Sequence, residues 1–188
     1  MRVILIAAQS LDGRITHHET AGATFASPAD RRFFRDALAC FDCSVMGGET
    51  FRVSEKQILT RPADGRLLVV MTSRVGEGAK TANARAGNVA PLKGRKGVVE
   101  FTSAPPAKVL ADLRARGMKR CALLGGGKTY GAFLAAGLVD EVWLTLEPRI
   151  FGTGVPLVAG TALDTRLQLL SSEKLTADVL LLKYKVLR

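Results

Sequence analysis

Three consecutive glycines, Gly125 to Gly127, follow an apolar strand-like run ending at Leu123-Leu124 and lead straight into Lys128-Thr129-Tyr130 and a helical pattern. Glycines at a strand-to-helix turn let a ligand approach the main chain, and the free N–H groups of the next helix attract phosphate. The chemistry on offer is nucleotide binding. Gly127-Lys128-Thr129 also ends like a P-loop, but that motif needs a glycine where Ala122 stands. A structural glycine turn is the other reading of the same residues. Thr72-Ser73-Arg74 closes an apolar run with two hydroxyls and a guanidinium, whose fork makes paired, charge-assisted hydrogen bonds to phosphate. An ordinary strand-end turn would use those hydroxyls too. Asp30, in the first turn of an expected helix, could accept a pair of N–H hydrogen bonds from a ligand, or simply suit the positive helix end.

A third constellation points elsewhere. His17-His18-Glu19 followed by Cys40-Phe41-Asp42-Cys43 mimics the His-x-Glu and Cys-x-x-Cys of zinc deaminases. Such a site needs its thiolate pair at a helix start with a proline before the first cysteine. Here Ala39 precedes Cys40 and the pair falls at a helix end, so no metal is expected and the thiols read as packing groups.

The elements that must position these groups follow from periodicity and turn chemistry. Arg2 to Ala8 suits a central strand, ended by the turn residues Ser10-Leu11-Asp12-Gly13. Ser27-Pro28 supplies an N-cap and a first-turn proline for a helix with Phe33, Phe34, Ala37, Leu38 and Phe41 on one face. Cys43 to Met46, Leu67 to Thr72, Val98 to Thr102, Cys121 to Leu124 and Glu141 to Leu146 read as strands, with helices over Pro106 to Arg116 and Lys128 to Ala136. Gly76 to Lys96 reads as a mobile connection. Leu167 to Lys174 and Val179 to Val186 form a hairpin around Thr176-Ala177-Asp178. The expectation is an open α/β sheet, mostly parallel and flanked by helices, with an antiparallel C-terminal edge hairpin.

At 188 residues and 47% hydrophobic content, a single domain over residues 1–188 is expected. No run of about eighteen apolar residues occurs and Val3 to Ala8 is too short for a signal peptide, so a cytoplasmic protein without membrane partners is expected. The three cysteines, Cys40, Cys43 and Cys121, fit a reducing compartment. The net charge is +10, and residues 61–120 concentrate it with 13 Lys/Arg against 4 Asp/Glu. An anionic cofactor or substrate, nucleic acid, or a solvated basic face could each account for that. Nucleic acid is disfavoured because Phe101 is the stretch's single aromatic and no binding module is recognisable.

Taken in order, the chain resembles the dihydrofolate-reductase-like superfamily, and in particular the C-terminal reductase domain of the bifunctional riboflavin-pathway deaminase-reductase. The resemblance rests on Ala7-Ala8-Gln9-Ser10-Leu11-Asp12-Gly13-Arg14-Ile15, Val45-Met46-Gly47-Gly48-Glu49-Thr50, Gly125 to Tyr130, and Gly137-Leu138-Val139-Asp140-Glu141. It implies NADPH as hydride donor, a homodimer, and cofactor contacts from Ala8, Ile15, Gly47, Thr50, Thr72, Ser73, Arg74, Gly125, Gly126, Gly127, Lys128, Thr129 and Tyr130. Thr72 to Arg74 would meet the adenosine 2′-phosphate.

Two branches of the superfamily bear on the substrate. Asp30, Tyr130 and Thr145 are similar to the folate-reductase reaction site, where the carboxylate helps protonate the C=N bond, and Arg66 to the arginine that grips the folate tail. The riboflavin branch is matched by Ser10 to Gly13, by Thr50, by the Gly-Leu-Val-Asp-Glu run, and by Arg61 as a phosphate grip. This chain departs from it at Leu124, where that branch has a glutamate, at Gly22 and Leu38, and at Val53-Ser54-Glu55-Lys56, which replaces an Asp-x-Pro loop. The resemblance implies a pyrimidine reductase acting on a ribosylaminopyrimidine phosphate, with a pteridine reductase or a non-catalytic NADP-binding protein as the alternatives.

Overall fold

The structure, a computed structural model, describes residues 1–18, 25–60, 66–73, 89–91 and 98–188. Its strands are β1 (Arg2–Ser10), β2 (Cys43–Gly47), β3 (Leu67–Met71), β4 (Val89–Pro91), β5 (Val98–Thr102), β6 (Arg120–Leu123), β7 (Glu141–Glu147), β8 (Leu167–Lys174) and β9 (Leu180–Val186). Its helices are α1 (Pro28–Leu38), α2 (Gly48–Thr60), α3 (Pro106–Ala115) and α4 (Gly127–Ala135). All nine described strands join one sheet in the order β4-β5-β3-β2-β6-β1-β7-β9-β8. The run from β5 to β7 is parallel, and β4, β9 and β8 are antiparallel additions at the two edges. The expected α/β class and C-terminal hairpin are therefore present.

Alternation along the strands decides where the helices lie. Val3, Leu5, Cys43, Val45, Leu67, Val69, Cys121 and Leu123 share a core with Val109, Leu110 and Leu113 of α3 and with Tyr130 and Phe133 of α4. The intervening residues point the other way. Ile4, Ile6 and Ala122 pack with Phe33, Phe34 and Leu38 of α1, and Met46 and Val70 with Phe51 and Ile58 of α2. Leu124 joins these two clusters. Helices α1 and α2 thus cover one face, and α3 and α4 the other. Trp143, on the α1 side of β7, meets Phe33 and Phe41 in ring contacts, and its indole N–H donates to Glu141 Oε2 at 2.8 Å.

This arrangement has a direct consequence for ligand binding. β2 and β6 are neighbours, yet the chain leaves β2 into α2 on one face and β6 into α4 on the other. Loops that diverge to opposite faces open a crevice at the C-terminal ends of the strands, the place where open α/β sheets take their ligands.

Two motifs of the sequence prove to be fasteners. Asp140 accepts the Val3 amide at 2.8 Å and the Arg188 guanidinium at 2.9 Å, which registers the start of β7 on β1. Asp12 accepts the Ser10 hydroxyl at 2.6 Å and the Phe151 and Gly152 amides at 3.1 and 2.8 Å. The loop after β1 is so stitched to the loop after β7. Led by the Ser10 hydrogen bond and helped by the two amides, these donors pull the Asp12 carboxyl down to about 2.

Candidate functional site

The crevice between β2 and β6 is closed at its floor by main chain. The Gly47 amide donates to the Gly125 carbonyl at 2.7 Å, tying the two turns together. A Cβ on Gly47 would stand 2.5 Å from Thr129 Oγ1, and one on Gly48 would stand 2.8 Å from Thr72 Oγ1. The ends of β2, β3 and β6 therefore converge, with Thr72 and the glycine run on one crevice.

The three glycines have different reasons. Gly125 adopts φ 96°, in the left-handed region, and a Cβ there would meet the Tyr130 ring at 3.0 Å. A Cβ on Gly127 would lie 2.5 Å from the Pro156 carbonyl, so protein packing alone requires that glycine. Gly126 is needed for a third reason: a Cβ there would stand 3.1 Å from Thr50 Oγ1, so the starts of α4 and α2 lie against one another. The Gly125-Gly126 peptide bond is cis.

Both α2 and α4 begin where these residues meet. Gly126 caps α4 without a side chain, and the first amides of the helix have no partner within it. Two neighbouring helix starts present unbonded N–H groups and two positive dipole ends, an arrangement that suits a bridged pair of phosphates. Thr50 adds a hydroxyl and Lys128 an exposed ammonium.

Tyr130 is buried beneath the glycine turn, and its hydroxyl donates to the Ile6 carbonyl of β1 at 2.7 Å. Burial pushes its phenol well above the usual range. It supports the turn from below.

A second cluster sits two strands away, where α1 starts over the end of β7. Ser27 caps α1 by accepting the Asp30 amide at 3.1 Å, and its own amide donates to Glu147 Oε1 at 2.8 Å. Asp30, Thr145 and Glu147 are all buried, at 8%, 1% and 2% exposure. Thr145 and Glu147 lie on the α1 side of β7, in register with Ala8 and Ser10 of β1. Thr145 Oγ1 approaches the Asp30 carboxyl without a hydrogen bond of normal geometry. Burial raises the Asp30 carboxyl above its ordinary range, the Thr145 hydroxyl opposes that, and the neighbouring Glu147 adds to it. A carboxyl so placed can donate a proton at pH values where an exposed aspartate has lost its own.

The sequence-derived residues thus fall into groups. Gly47, Thr50, Thr72, Gly125, Gly126, Gly127 and Thr129 come together at the crevice, with exposed Ser73 and Lys128 at its margin. Asp30, Thr145 and Ala8 meet at the second cluster. Ile15 packs on the core of the α3–α4 face, held by a hydrogen bond from its amide to Val155. Arg66 stands immediately before β3, at the opposite end of that strand from Thr72. Arg61, Arg74 and Gly22 lie outside the described residues. Val53 to Lys56, read as a loop replacement, are in fact part of α2. Among the described residues no metal-binding cluster occurs, and Cys40 is exposed whereas Cys43 is buried. Glu147 went unnoticed in the sequence, although its spacing of two from Thr145 puts it on the same face of β7.

Residues 1–181 match the family described as the RibD C-terminal domain. The chain belongs to that family. No curated protein shows significant sequence similarity to it. Among solved structures, a putative riboflavin biosynthesis protein from Shewanella sp. PV-4 superposes with a TM-score of 0.76 at 22% identity, over 100% of both chains. A pyrimidine reductase-like protein from Corynebacterium diphtheriae gives a TM-score of 0.67 at 20% identity, over 100% of this chain and 92% of its own. The diaminohydroxyphosphoribosylaminopyrimidine deaminase/5-amino-6-(5-phosphoribosylamino)uracil reductase of Thermotoga maritima gives 0.76 at 16% identity, and this chain covers 56% of it. These likenesses establish a common fold. In this RibD C-terminal domain the strand ends that carry the crevice and the Asp30 cluster lie on the same edge of the sheet.

Proposed function

We propose that the chain is an NADPH-dependent reductase of the pyrimidine reductase type, acting on the C=N carbon of a ribosylaminopyrimidine phosphate or its open-chain imine equivalent. One observation carries the reading: two helix starts meet at Gly126 and Thr50 on the same strand edge as a buried, protonatable aspartate. From β3 to β7 there are four strand spacings of about 4.8 Å, roughly 19 Å in all, which suits an extended dinucleotide. In this reading Thr72 and Ser73 receive the adenosine end, Gly126, Thr50, Lys128 and Thr129 hold the pyrophosphate, and Gly47, Ala8 and Ile15 border the nicotinamide. NADPH, when bound, supplies the hydride. Asp30 orients the substrate ring and gives a proton to the nitrogen, Thr145 steadies the Asp30 carboxyl, and Tyr130 holds the turn from below.

Reduction of a pteridine is the second reading, favoured by the pairing of Asp30 with Thr145. Arg66 could serve it only for a ligand whose tail runs the length of β3, five residues or about 17 Å. A protein that binds NADP without turnover is the third. We further propose a homodimer, for which the outermost strand β8 offers the exposed Leu167, Leu169 and Leu170, and a cytoplasmic setting in which the three free thiols stay reduced.

The test is NADPH consumption with each substrate offered separately. Turnover with the ribosylaminopyrimidine phosphate is expected. Turnover with dihydrofolate alone would transfer the assignment to pteridines, and NADPH binding without consumption of either would leave the third reading. Sedimentation at micromolar concentration tests the dimer, and a mass of one chain would refute it.

A further inference from the structure

We propose that Glu147 is a positioning residue for Asp30. It fastens the start of α1 through Ser27 and sets a second buried negative charge beside the Asp30 carboxyl, which makes Asp30 the member of the pair that carries the transferable proton. The inference rests on the reductase reading above and deepens it.

The geometry is a short relay. Glu147 Oε1 accepts the Ser27 amide at 2.8 Å, and Ser27 Oγ accepts the Asp30 amide at 3.1 Å, so the carboxylate on β7 fixes the turn that carries the aspartate. Thr145 and Glu147, two residues and about 7 Å apart along β7, both face that turn. Among the described residues neither Asp30 nor Glu147 takes part in an ion pair. The charged groups acting on Asp30 are Glu147 from β7 and Arg31 from its own helix, and the facing β1 positions, Ala8 and Ser10, carry no charge.

A buried carboxyl that makes no ion pair and lies in the field of a second buried carboxyl ionises reluctantly, and Arg31 on its own helix offsets this only in part. Glu147 already serves as acceptor for a main-chain amide. The Asp30 carboxyl accepts no such amide among the described residues. It therefore keeps the proton, and in turnover its O–H bond breaks as an N–H bond forms on the substrate and hydride reaches the adjacent carbon. Solvent then returns a proton to the Asp30 carboxylate.

The decisive variant is Glu147→Gln, which keeps an oxygen for the Ser27 amide and removes the charge. Its kcat is expected to lose its alkaline limb at lower pH than the wild type, so that on the limb the rate falls about tenfold while NADPH affinity is unchanged. Glu147→Asp, which restores the charge, should move the limb back. A purely structural Glu147 would lower the rate by the same factor at every pH, and that result would overturn the proposal. Carboxyl-carbon NMR gives a measurement independent of turnover. The Asp30 carboxyl should lose its proton at lower pH in Glu147→Gln than in the wild type and Glu147→Asp, and an Asp30 curve identical in all three would refute the inference. If Asp30 moves as expected but Asp30→Asn turns over normally, the reductase role of Asp30 fails instead.

Discussion

Replacing Thr50 with valine tests the phosphate site with little disturbance to the fold. The Thr50 hydroxyl stands 3.1 Å from the position of a Gly126 Cβ, where α2 and α4 begin, and it makes no hydrogen bond among the described residues. Valine keeps the branched shape at a first-turn position where threonine and valine have similar helix propensity. The expected change in stability is within about 0.5 kcal/mol. Binding should respond differently. A hydrogen bond to a charged phosphate contributes about 1.5–3 kcal/mol, and each 1.4 kcal/mol is tenfold, so the Kd for NADPH should rise roughly 10- to 150-fold. Calorimetric titration gives the Kd and a thermal melt supplies the folding control. The loss should be equal for NADH, because Thr50 is assigned to the pyrophosphate, whereas Ser73→Ala should weaken NADPH alone. A Thr50→Val protein that melts and binds like the wild type would show that the start of α2 does not hold the phosphate.

Asp30→Asn should lower kcat by about 10²–10⁴-fold, the usual range for a lost proton donor, in a steady-state assay. Its stability should move the other way. The folded Asp30 carboxyl titrates above its ordinary value of 3.8, so its favourable contribution is complete below that pH and is lost as pH rises through the folded value. Asparagine should therefore melt higher than the wild type at neutral pH, and the difference should vanish in acid. Tyr130→Phe leaves the buried Ile6 carbonyl without its donor and should cost about 1–3 kcal/mol in denaturant unfolding, with kcat within a fewfold of wild type. Asp12 titrates near 2, so the loop stitch it makes is complete above the ordinary 3.8 and is lost as pH falls toward 2. Hydrogen exchange at Phe151 and Gly152 should accelerate over that window in the wild type, and at all pH values in Asp12→Ala.

The glycine turn was legible because the apolar period changes from strand to helix across Gly125 to Gly127, and the hairpin because apolar residues cluster on both sides of Thr176-Ala177-Asp178. Ser27-Pro28 announced α1 through capping chemistry that is local in sequence. What depends on distant partners was not legible. Asp12 reads as turn chemistry, yet its amide donors are 139 and 140 residues away. Glu147 fell just beyond the strand as read, in front of Pro148, and its meaning comes from a helix cap 120 residues earlier. The body of α2 was missed because Val53 to Lys56 are mostly polar and, among the described side chains of the helix, only Phe51 and Ile58 touch the core. β4 is three residues long in a stretch of small and basic residues, too short for any period to show.

The chain has a single tryptophan, Trp143, wedged between α1 and the sheet with the Lys183 ammonium 4.6 Å above its ring. Its emission is therefore an optical gauge for the helix that carries Asp30 rather than for the glycine turn. Detachment of α1 would redden that light. Because reduced nicotinamide absorbs where indole emits, quenching on ligand addition would also turn the same ring into a ruler between the two halves of the strand edge.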